Sequence, residues 1–272
     1  MFKSSLFPTQ KIGQASAVWA STDTAEAPNL LFLHGLFGGT GNFDRLAAHL
    51  GEGWDILTPE LPLYQKKPSV SHLRDLTDWL VENFNAQLER GIHVVGNSLG
   101  GHLAVDLAAR YPEFVNSLCL TGSSGLIERA YGGTRPRRYD RKYIRDIASR
   151  TFYGREIEES VVDDLIEVVS NYSKMSRLIS IARASHRYNM QRLLAGIKVP
   201  VLLVWGENDE ITPPEVALEF EQHLPNASLV WVSDCGHAPM MEHPKFFADC
   251  LSNFLNEIIP SPQEPVSVFG EP

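Results

Sequence analysis

Ser98 stands between glycines in Gly96-Asn97-Ser98-Leu99-Gly100, a G-x-S-x-G pattern. That spacing suits a sharp strand-to-helix turn, in which small residues leave room for a strained backbone that lifts the serine oxygen into the open. A serine hydroxyl is a poor nucleophile at neutral pH. It needs a base to take its proton and a carboxylate to orient that base. Nine histidines compete for the first role. His93 and His102 flank the serine on a strand and a helix and read as structural, while His49, His72 and His223 fall on amphipathic helical patterns and read as surface. His34 shapes the turn before Gly35, His243 marks a helix entry, and His186 has no neighbours that mark a base. That leaves His237, in "SDCGHAPMMEHP", on a loop after the last apolar strand. For the carboxylate, "LLVWGENDEITPP" offers Glu207, Asp209 and Glu210 at a strand end, in the chain order that the elbow pattern expects. Two backbone N–H groups should face the developing oxyanion. Leu99 follows the nucleophile and supplies one. The glycine-rich "FLHGLFGGTGNF" supplies the other, on Leu36 or its neighbour Phe37, with Leu36 preferred.

These residues need a scaffold of strands that end on one side. "NLLFLHG", "WDILTPELP", "GIHVVGN", "VNSLCLTG", "VPVLLVWG" and "ASLVWVSD" read as strands, several of them apolar throughout, as expected of a sheet covered on both faces. Helical patterns lie between them: "SVSHLRDLTDWLVENFNAQL" with a serine cap at Ser69 or Ser71, the stretch from Leu99 to about Tyr111 stopped by Pro112, and a closing helix from about His243 to Ile259. Strands alternating with helices predict an α/β fold, a mostly parallel central sheet with helices on both faces. Gly122 to Gly196 breaks the rhythm with a basic cluster, acidic helical patterns and no convincing strand. Its length argues for an inserted helical cap rather than a loop. The expected organisation is therefore a core of residues 1–121 and 197–259, a cap of residues 122–196, and a flexible proline-rich tail from 260 to 272.

With these motifs in order, the chain resembles the α/β-hydrolase superfamily over about Leu30 to Ile259, through "HGLFGG", "GNSLGG", "WGENDEITP" and "DCGHAPMMEHP". The resemblance implies Ser98 as nucleophile, Asp209 as acid, His237 as base, a cap after the strand that ends near Thr121, and no metal, nucleotide or organic cofactor. Two departures stand out. The Asp-x-x-Gly-x-Gly turn of many relatives is replaced by "PELPLYQKKP", and Ser98 in place of aspartate argues against epoxide and haloalkane chemistry. "GNSLGG" is also similar to hydrolases that cleave carbon–carbon bonds in ring-opened diketones, but Ala238 stands where those have an aromatic residue after the histidine.

The bulk numbers limit the partners. The 272 residues carry a net charge of -9, which leaves no electrostatic footprint for nucleic acid or an anionic membrane surface. No apolar run approaches the ~20 residues of a membrane span. Three cysteines without metal-type spacing, and no leader pattern at the start, point to reduced thiols in a cytoplasmic protein, monomer or homodimer. The function expected is a serine hydrolase acting on a small carboxylic ester or related acyl compound through an acyl-enzyme. The alternatives are a C–C hydrolase or a hydrolase-fold receptor that binds a small ligand. Beside Phe37, the pocket candidates are Asn97, Tyr131, Phe152, Tyr153, Ile181, His186, Arg187, Met190 and Ala238.

Overall fold

Consecutive apolar residues in the central strands give both faces of the sheet something to bury, and the fold follows from covering them. The computed structural model describes residues 3–12, 14–22, 29–65, 69–126, 140–154, 157 and 159–259; Tyr131 and the tail 260–272 lie outside them. In chain order the elements are β1 (Thr9–Ile12), β2 (Ala15–Ala20), β3 (Asn29–Leu33), α1 (Asp44–Leu50), β4 (Asp55–Pro59), α2 (Arg74–Leu88), β5 (Ile92–Asn97), α3 (Leu99–Arg110) and β6 (Val115–Thr121). Then come α4 (Arg141–Ser149), α5 (Glu159–Ser170), α6 (Tyr172–Arg187), α7 (Gln191–Leu194), β7 (Val201–Gly206), α8 (Pro214–His223), β8 (Ala227–Val232), α9 (Pro239–Glu242) and α10 (Pro244–Ile258).

The strands form one sheet in the order β1-β2-β4-β3-β5-β6-β7-β8. β1 and β2 join antiparallel at one edge, and every pairing from β4 to β8 is parallel. The β1–β2 hairpin is an addition to the sequence reading; "TQKI" is largely exposed and polar, so it carries no apolar signal. Strand alternation sorts the core into two layers. Leu31, Leu33, Val94, Leu118, Leu120, Leu203 and Trp205 pack on one face with α2, α3 and α8. Leu30, Phe32, Val95, Cys119, Leu202 and Val204 pack on the other with α1 and α10. Cys119, Cys235 and Cys250 are free thiols. Among the described residues, no helix is long and apolar enough to cross a membrane.

α2 begins later than its serine signals suggest. Leu73 is its N-cap and provides no side-chain cap. The start is held instead by the Asp75 carboxylate, which accepts from the Ser71 and His72 N–H groups and the Ser71 hydroxyl. Between β6 and β7 the described residues contain α4 to α7 and no strand. Ile144, Ala148, Ile157 and Val162 of this segment form a small apolar cluster of their own. Leu178 and Ile181 of α6, with Met190 and Leu194, belong to the main core.

Candidate active site

The chain leaves β3 toward β4 on one side and returns to β5 on the other, so the sheet order reverses between these neighbours. Open α/β sheets place their sites at such a point, beyond the carboxyl ends of the strands. Here the loop after β3, the serine after β5, Gly122 after β6, Asp209 after β7 and His237 after β8 all leave the sheet at that end.

Ser98 has φ 56° and ψ -117°, in the half of backbone space that side chains rarely adopt. Its N–H donates to the Thr121 carbonyl at 3.1 Å, and its carbonyl accepts the first bond of α3 from His102. The turn is tight because α3 sits directly on β3. A Cβ on Gly100 would fall inside the Leu33 carbonyl oxygen, so only glycine fits there. α3 is almost wholly buried, which locks the serine's helix into the core. The Leu99 N–H lies in the first turn of that helix, where backbone donors have no partner within the helix.

Asp209 and His237 are both buried and face each other, with Asp209 Oδ2 2.9 Å from His237 Nδ1. The other carboxylate oxygen accepts from the Ile211 and Thr212 N–H groups at 2.8 and 2.9 Å. The Thr212 hydroxyl donates to Oδ2 at 2.8 Å. Trp205 of β7 holds the loop from below, its indole N–H donating to the Thr212 carbonyl. The loop that carries His237 is tied to the loop that carries Asp209 by the Asn208 N–H, which donates to the Cys235 carbonyl at 2.9 Å. The His237 ring lies against Gly122, whose φ is +53°; a Cβ there would meet Nδ1 at 2.7 Å. Such a pair can hold an imidazole in one tautomer and leave Nε2 to exchange a proton. Among the described residues, no group of three or more His, Cys, Asp or Glu side chains gathers as a metal site.

A family model described as the alpha/beta hydrolase family matches residues 30–250. The chain belongs to the α/β-hydrolase family. It is thus a hydrolase. It is 29% identical over 240 residues to a pimeloyl-[acyl-carrier protein] methyl ester esterase of Neisseria meningitidis serogroup C, covering 83% of this chain and 93% of that protein. A lipase of Psychrobacter immobilis is 28% identical over 244 residues, covering 83% of this chain and 76% of the lipase. A solved α/β hydrolase enzyme from a sediment metagenome of the Mar Chica lagoon, Morocco, is 33% identical with a TM-score of 0.74, covering 92% of this chain and 98% of that one.

Within this hydrolase the remaining sequence-predicted residues separate. Asn97 is buried, and its side-chain amide donates to the carbonyls of Thr121 and His237 at 3.2 and 3.0 Å. Ala238 is buried beside the histidine. Ile181 and Met190 are wholly buried in the main core, whereas His186 and Arg187 lie on the exposed side of α6. Phe37 and Tyr153 are each 42% exposed, and Phe152 is half-buried between the α1–α10 layer of the core and the small cluster around α4. His34 does shape its turn: Nδ1 lies 2.9 Å from the Gly35 carbonyl, and Nε2 accepts from the Leu61 N–H. Burial pushes it down to about 4, so it stays neutral. His93 and His102 are likewise buried and pushed down by desolvation, to about 4 and about 3. Four residues went unread in the sequence: Gly122, Thr151, Thr212 and Glu242. Thr212 follows Asp209 by three residues, the spacing of a carboxylate that caps its own turn. The others are brought in only by the fold.

Proposed function

We propose that the protein is a serine esterase for small carboxylic esters, working through an acyl-enzyme. The observation that carries this reading is the strained Ser98 at the end of β5, directly after Asn97, whose side-chain amide donates to the carbonyl of a His237 buried against Asp209. His237 Nε2 takes the Ser98 proton as Oγ attacks the ester carbonyl. The same nitrogen then returns the proton to the leaving alkoxide, and water enters by the reverse sequence to release the acid. Asp209 holds the imidazole and stabilises its charged form. The N–H of Leu99 faces the oxyanion from the start of α3, and the N–H of Leu36 faces it from the loop after β3. Leu36 is preferred to Phe37 because it adjoins Gly35, where an added Cβ would stand 3.3 Å from the Ser98 Cβ. Leu36 is also half-buried, whereas Phe37 leans out to solvent.

The segment after β6 is proposed as a cap over this serine. Its Phe152 and Tyr153, with Phe37 and Ala238, supply apolar surface for the acyl chain. One of the two relatives is named as a methyl ester esterase and the other as a lipase, which supports the ester class. Kinetics on p-nitrophenyl esters of graded acyl length test the reading, with fluorophosphonate labelling in parallel. Turnover with label on Ser98 alone is expected, and Ser98→Ala should lose both. Label that survives Ser98→Ala overturns the nucleophile. Turnover of a ring-opened diketone without ester turnover would instead establish C–C hydrolysis, and ligand binding with neither reaction would establish a receptor.

A further inference from the structure

Glu242 is 3% exposed, at the end of α9, and its carboxylate turns back under the catalytic histidine. Oε1 accepts from the Gly236 N–H at 3.0 Å and the Ala238 N–H at 3.4 Å, the two peptides that flank His237. Oε2 accepts from the Tyr153 N–H at 2.8 Å, a residue of the segment after α4. The same segment takes the peptide between: the His237 N–H donates to the Thr151 carbonyl at 2.9 Å. Three successive N–H groups of the base loop are thus held by one carboxylate and by the chain it grips. Nothing in the acid–base chemistry requires a second carboxylate here.

We propose that Glu242 is a positioning residue that sets the place of His237 and joins the base loop to the Thr151–Tyr153 segment. Seating of that segment and alignment of the base then become one event. Charge-assisted bonds to backbone N–H groups are short and directional, so one carboxylate can fix the loop to a fraction of an ångström. Without it the buried N–H groups of Gly236 and Ala238 lose their acceptor and the loop must shift to find another. With an acyl group too short to reach Phe152 and Tyr153, the loss should appear in the proton-transfer step and not in substrate binding.

The test reads kcat and KM separately for Glu242→Ala and Glu242→Gln on a short-chain p-nitrophenyl ester, well below both melting temperatures. Glu242→Ala should lower kcat about 10- to 100-fold with KM within about threefold, as displacement of a reacting group by about an ångström does. Glu242→Gln keeps one acceptor oxygen but turns an NH2 toward the Tyr153 N–H, so it should fall between, at least about threefold below wild type. Leu251→Ala, a wholly buried change on α10, is the stability control and should keep kcat within about twofold. Wild-type kcat in either Glu242 variant overturns the proposal, as does an equal kcat loss in Leu251→Ala. If Glu242→Ala does not fold, Glu242→Gln decides on the same criterion. The inference rests on His237 as base. Turnover kept in His237→Ala overturns that reading and the proposal with it, whereas turnover lost there and kept in Glu242→Ala overturns the proposal alone.

Discussion

Asp209 receives three hydrogen bonds from its own loop besides its contact with His237. A carboxylate held this way faces the imidazole at one angle and accepts only from an Nδ1–H, which fixes the tautomer. Asp209→Asn can present an N–H to Nδ1 instead, which selects the wrong tautomer and leaves no lone pair on Nε2 for the serine proton. We expect kcat to fall by about 10³- to 10⁴-fold with little change in melting temperature. Steady-state kinetics beside a thermal melt checks both. Thr212→Val is a milder probe, because it removes one donor to Oδ2 and leaves the two backbone donors in place. An intermediate loss, about tenfold, is expected on the same assay.

Elements carry these side chains by close approach. α3 can bring Ser98 to the end of β5 only because Gly100 lets the helix backbone rest on β3. Gly100→Ala places a methyl group against the Leu33 carbonyl, and neither backbone can yield without breaking the β3–β5 register that runs through Leu33 and Gly96. A loss of at least about 3 kcal/mol in chemical denaturation is expected, with activity lost in whatever folds. α3 is tied in turn to the segment after β6. The Tyr188 hydroxyl, at the end of α6, donates to the buried Asp106 at 2.8 Å and accepts from Arg74 Nε at 2.9 Å. Tyr188→Phe takes one donor from a buried carboxylate and should cost about 1–3 kcal/mol on the same measurement.

At the scale of the whole molecule, the buried neutral histidines set an acid limit. His34, His93 and His102 are held neutral by desolvation, with folded values of about 4, about 4 and about 3 against 6.5 when unfolded. Between pH 6.5 and 4 the unfolded chain therefore binds more protons than the folded one, so stability is full above about pH 6.5 and falls as pH drops. At pH 5 each histidine withdraws about 2 kcal/mol, a large share of an ordinary domain's stability. Denaturation midpoints should fall steeply from pH 7 to pH 5; a flat profile would mean that these rings are not desolvated. The chemistry was legible in the chain because each component carries a local rule: glycines around a strained serine, a histidine after the last strand, carboxylates at a strand end, and strands that alternate with helices. The sequence by itself thus determined the fold class, and it singled out Ser98, Asp209 and His237, in that chain order, as the residues proposed for nucleophile, acid and base. Only the tertiary structure decided what surrounds them. β1 of the β1–β2 hairpin is polar and exposed, so it carries no apolar pattern. Ile181 and Met190 joined the main core because α6 packs back onto it, a long-range outcome that no window of residues records. Glu242 lies 89 residues from the Tyr153 N–H it accepts, and that distance closes only when α9 folds beneath β8's loop. Contacts between residues far apart in the chain are made by packing, and packing is a property of the whole sheet and its layers.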